Sequence, residues 1–252
     1  MSGGARSIVL GGIVLIGLVG FLTIRPHQTW LLWLAAAMAG LAADGIVRSH
    51  PRWDEHRLLD TLPWAALPAL GVLGGGLFID RAVEGFARPA AACLPAALVG
   101  MAAYAEYVSV DFQHPRYHAY RLGLAVATYL AAFALFTVAA AASIPLGLSA
   151  TLAGAVAMVL TLDILRENRL FGEGALLLGL AVGVSLAELR LVLYFFPLDD
   201  LLAGALMIIG FYLATGLVHH FLDHDLQWAT AGEYLMVALV GTAAVVVMRV
   251  FV

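Results

Sequence analysis

The densest run of metal-ligating side chains is His219-His220-Phe221-Leu222-Asp223-His224-Asp225. On a continuing helix, His220 and His224 share one face, a spacing that places two imidazoles on one ion. His219 and Asp223 lie on the neighbouring face, where a carboxylate orients an imidazole. Asp111, His114 and His118 form a second group, interrupted by Pro115. A three- or four-ligand site for zinc or iron would join His220 and His224 to His118, with Asp111, Asp223 or Glu106 nearby. The competing reading is structural, because histidine is amphipathic and suits a membrane interface.

A second kind of chemistry needs charge inside apolar sequence. Glu106, Asp163, Glu188, Arg190 and Glu233 are candidates for acid–base or transport work, since ionisable residues at such depth cost a few kcal/mol unless paired or hydrated. Asp163 and Arg166 are three apart, as are Arg166 and Arg169, so a helix turns each pair onto one face. Glu188 and Arg190 are two apart and face different directions. By helical rise they lie roughly 9–12 Å from the nearer end of their apolar run. Asp199 or Asp200 could serve Arg190, and Arg81 or Arg88 could serve Glu188. The structural alternative for this pair is interhelical locking, with Arg190 snorkelling to the surface.

The elements that position these residues follow from composition. Hydrophobic residues make up 63% of the 252-residue chain and charged residues 12%, with a mean hydropathy of +0.96. Soluble domains are about 45–50% apolar and about 25% charged. The solvent is therefore lipid, which excludes a cytosolic enzyme, a nucleic-acid binder, a secreted disulfide scaffold and a disordered chain. All 13 basic residues are arginine, so lysine Schiff-base and P-loop chemistry are excluded. Cys93 is the sole cysteine, which excludes an intrachain disulfide and a CxxC pair.

A hydrocarbon core of about 30 Å needs roughly 20 helical residues. Nine runs qualify, approximately 7–24, 29–47, 62–80, 89–109, 118–142, 146–165, 173–196, 199–219 and 231–251. The expected fold is an all-α polytopic bundle forming a single integral membrane domain over residues 1–252, with no soluble domain. Eight spans is the alternative, because the first run is short and the fifth and sixth are barely separated. The first run resembles a signal peptide but lacks a cleavage site, and is read as an uncleaved span. Pro26, Pro51, Pro89, Pro115, Pro145 and Pro197 mark the separations. Gly71/Gly75 and Gly179/Gly183 have GxxxG spacing, read as packing within the bundle.

Arginines divide eight to four between the two faces, favouring the face that holds the N-terminus. That places the N-terminus in the cytoplasm. Seven of the eight histidines fall on the same face.

Tyr104-Ala105-Glu106-Tyr107, Arg121, Leu162-Asp163-Ile164-Leu165-Arg166, Glu188, Gly210-Phe211-Tyr212 with Gly216, and Gly232-Glu233-Tyr234 together resemble a bacterial family of polytopic membrane proteins of unknown function. The resemblance covers roughly residues 60–250. It implies that Glu106, Arg121, Asp163, Arg166, Glu188 and Glu233 belong to a shared pattern, and it supplies no chemistry. The His219–His224 cluster lies outside that pattern.

Three functions are compatible with these residues. The first is a non-enzymatic membrane component in contact with lipids and with a protein partner or a second copy of itself. The second is a metal-assisted enzyme acting on a lipid or another membrane-embedded substrate. The third is a small-solute or proton-coupled transporter, which requires a broken helix or hydrated path near the midplane. The first needs the fewest additional arrangements.

Overall fold

Lipid offers a peptide group no hydrogen bonds, so each apolar run must close its own backbone ladder as a helix. The computed structural model describes residues 3–24, 28–53, 58–141, 143–166, 172–222 and 227–251. The helices are α1 (Gly3–Thr23), α2 (Thr29–Arg48), α3 (Leu58–Ala82), α4 (Ala87–Ala91), α5 (Cys93–Ser109), α6 (Tyr117–Ala139), α7 (Leu146–Leu165), α8 (Glu173–Leu193), α9 (Asp200–Leu222) and α10 (Trp228–Phe251). Helices α4 and α5 together make one span, Ala87–Ser109, so nine candidate membrane spans and no strand occur among the described residues. The first run is a full 21-residue helix, which supports nine spans over eight.

Pro89 is not a separator. It is the third residue of α4, where its missing N–H would have had no intrahelical partner. Pro68 sits inside α3, a lost hydrogen bond that membrane helices tolerate when neighbours re-satisfy the backbone.

The helices gather into two compact units, Met1–Ala131 and Ala132–Val252, with the boundary inside α6. In the first unit, Leu10, Val14, Leu18 and Phe21 form a buried stripe along α1 at helical spacing. It belongs to one cluster with Ala35, Ala39 and Ala43 of α2 and Val99 and Ala103 of α5. Ile8 and Ile16, on other faces of α1, are exposed, as lipid contact allows.

In the second unit, α7 and α8 meet backbone to backbone. A Cβ on Gly154 would lie 2.8 Å from the Gly183 carbonyl oxygen, and one on Gly183 would lie 2.7 Å from the Gly154 carbonyl oxygen. Gly179 lies against Leu162, Gly71 against Val99 and Gly75 against Pro95. Each GxxxG pair therefore packs helices of this chain on one another.

Candidate functional site

One end of the first unit is built from aromatic rings, histidines and arginines. Gly3 and Gly4, at the start of α1, lie against the rings of Tyr107 and Tyr104 at the end of α5. The His50 ring meets Tyr107 edge-on, with centroids 4.8 Å apart. Arg52 pairs with Asp111, joining the loop after α2 to the loop after α5. His114 tilts against Tyr120, and Tyr120 against Tyr104, at 6.1 and 5.6 Å. His50, Arg52, Asp111 and His114 thus share one rim, as the boundary pattern anticipates. His118 is exposed on the first turn of α6, its ring edge against Tyr117. Burial holds the His50 imidazole below the usual histidine pKa, with Asp111 opposing and Arg52 adding to the effect.

This rim contains a repetition that the sequence reading missed. His50-Pro51-Arg52-Trp53 and His114-Pro115-Arg116-Tyr117 are the same tetrapeptide pattern. The two fold alike. The Arg52 backbone N–H donates to His50 Nδ1 at 3.2 Å, and the Arg116 backbone N–H donates to His114 Nδ1, also at 3.2 Å. The histidine ring caps a turn that proline has already narrowed. Matching tetrapeptides after two spans were the available signal.

Most of the deeper charges are buried. Glu106 is fully buried in α5, and its backbone carbonyl accepts a hydrogen bond from Ser109 Oγ at 2.9 Å. Arg121 is buried near the start of α6. Asp163 and Arg166 form a buried ion pair at the end of α7, as the spacing anticipates. Arg166 Nε also points at the Asp163 carbonyl, 3.5 Å away. A cation there also opposes the negative end of the helix dipole.

Arg190 does not snorkel. Its side chain is buried in the second unit, where Nε donates to Ser149 Oγ at 2.7 Å and Nη2 donates to the Ala140 carbonyl at 3.1 Å. Ser149 Oγ in turn donates to the Ala139 carbonyl at 2.5 Å. The last carbonyls of a helix have no intrahelical donor. Arg190 and Ser149 supply donors to two backbone carbonyls at the end of α6, where a cation also suits the dipole. Asp200 is close enough for its charge to act on Arg190, in line with the expected partner. Arg88 plays a similar part after α3. It donates to the Val83 and Asp80 carbonyls at 2.6 and 3.0 Å and lies 3.4 Å from the Asp80 carboxylate.

Glu188 is different. It is exposed on α8, about 7–8 Å inside the helix end at Leu193 by helical rise. The exposed side chains flanking it at helical spacing include Leu177, Val184, Leu191 and Val192. No ion pair or hydrogen bond reaches its carboxylate among the described residues. Glu233 is also exposed, near the start of the last span.

His220 lies edge-on to Tyr234 with centroids 5.5 Å apart, and Tyr234 tilts over Tyr212 at 5.2 Å. His220 Nδ1 is buried with no hydrogen-bond partner among the described residues. Asp223 and His224, the rest of the expected metal set, lie outside the described residues, as does Arg169. No group of three His, Cys, Asp or Glu side chains converges among the described residues.

A family model described as a protein of unknown function, DUF5656, matches residues 9–248. The chain belongs to the DUF5656 family. The match agrees with the expected membership of a family of unknown function and extends the resemblance from roughly residues 60–250 to residues 9–248. No curated protein and no solved structure matches the chain.

Proposed function

We propose that the chain is a non-enzymatic membrane component, a subunit that docks a partner's membrane helix on the exposed face of α8. The observation that carries this reading is Glu188. An ionised carboxylate facing hydrocarbon is costly, and a basic side chain on an apposed helix removes that cost. Of the other deep charges, Arg190 holds the end of α6, and Asp163 and Arg166 hold each other. Ser185, three residues before Glu188 and also exposed, adds a small polar notch to an otherwise apolar face. The transport reading is weaker, because the break at Ala92 falls only about 7–8 Å into its span and not near the midplane.

The test is the size of the particle extracted from native membranes in mild detergent. Wild type and Glu188→Asp migrate on a native gel as an assembly larger than the single chain, and Glu188→Leu migrates as the single chain. Co-extraction of two differently tagged copies distinguishes a second copy from a different protein. Wild type and Glu188→Leu both migrating as single chains would contradict the proposal.

A further inference from the structure

We infer that the paired His-Pro-Arg turns of the first unit hold the phosphodiester of an anionic phospholipid headgroup. Four observations lead there. First, each histidine accepts a backbone N–H at Nδ1, so the neutral ring carries its proton on Nε2 and offers it as a donor. Each turn therefore presents an imidazole N–H beside an arginine two residues on. Second, the turns are neighbours, because Arg52 of the first pairs with Asp111, three residues before His114 of the second.

Third, among the described residues the charges of the two turns do not cancel. Asp111 is committed to Arg52 and also accepts the Gln113 backbone N–H at 3.0 Å. Arg116 is exposed, and no acidic side chain pairs with it among the described residues. Its charge acts on the Tyr104 phenol. Arginine's planar fork suits a phosphate, and a cation with adjacent N–H donors is the complement of a phosphodiester. Fourth, the depth is right. The turns begin within a few residues of the ends of α2 and α5, and Trp53, Phe112 and Tyr117 stand around them. Aromatic rings at span ends mark headgroup level. A zwitterionic lipid brings its own cation to the same place, so an anionic lipid is the better complement to Arg116.

Native mass spectrometry of the full chain in detergent, with phosphatidylglycerol or phosphatidylcholine added, tests the inference. Phosphatidylglycerol is retained in preference to phosphatidylcholine. Arg116→Gln lowers that retention about tenfold, the loss of one charge-assisted contact. Arg249→Gln, on exposed α10, leaves it unchanged. Asp111→Asn keeps an oxygen for the Gln113 N–H but releases Arg52, and raises retention. This second variant decides the matter if Arg116→Gln loses helix content. Equal retention of the two lipids, undiminished retention in a folded Arg116→Gln, an equal fall in Arg249→Gln, or no rise in Asp111→Asn would each overturn the inference. Displacement of phosphatidylglycerol by an equal concentration of inorganic phosphate would also overturn it, assigning the turns to the free ion.

Discussion

Arg190 brings a charge into a membrane span and gives its N–H groups to a neighbouring helix end. That account fixes the order of two substitutions. Arg190→Met leaves the Ala140 carbonyl without this donor and lowers stability by about 1–3 kcal/mol, the cost of an unsatisfied buried polar group. Arg190→Lys keeps the charge but loses the fork, and falls between Met and wild type. Thermal unfolding of the detergent-purified protein reads the order, and a Met variant as stable as wild type would contradict it. His50 makes a separate prediction. Its pKa is depressed in the folded chain, chiefly by burial, so folding favours the neutral ring. The stability it contributes is present above about pH 6.5 and is lost as pH falls through the folded value. The unfolding temperature therefore drops on acidification below about pH 6.5, and His50→Gln, which cannot be protonated there, flattens that part of the curve. An unchanged slope in His50→Gln would contradict the assignment.

At the scale of elements, the reciprocal approach of Gly154 and Gly183 makes the α7–α8 crossing a tight backbone-to-backbone contact. A methyl at either position meets the partner's carbonyl oxygen, so Gly154→Ala or Gly183→Ala lowers stability by about 1–3 kcal/mol, as overpacking does. Gly147, in the first turn of α7, has open space around its Cβ position, so Gly147→Ala is neutral or slightly stabilising. Equal losses at Gly147 and Gly154, measured by the same unfolding assay, would show that the crossing is not special. The helices themselves were legible because lipid leaves an apolar run of about 20 residues few other structures. The Asp163–Arg166 pair was legible because a helix turns residues three apart onto one face. The Arg190 cap was not, since its acceptors lie 41 and 50 residues away and depend on how α6 turns into α7. Pro89 was misread as a boundary because a proline just inside a helix and one just outside look alike in sequence.

For the whole molecule, the nine candidate spans among the described residues predict termini on opposite faces of the bilayer, and the arginine bias predicts a cytoplasmic N-terminus. Reporter fusions at each terminus check this: fluorescence with an N-terminal cytoplasmic reporter and activity with a C-terminal exported reporter are expected, and the reverse pattern would contradict the assignment. The central claim is that the α8 face carrying Glu188 is covered by a partner in the native membrane. The most direct measurement is a cysteine cross-linking scan in a Cys93→Ser background, placing single cysteines at Leu177, Val184, Leu191 and Val192, with Leu235 and Met236 of α10 as comparison. The account predicts a discrete cross-linked species from the α8 positions, absent from the α10 positions and abolished by Glu188→Leu. Cross-linking that is equal along both helices, or unaffected by Glu188→Leu, would contradict it.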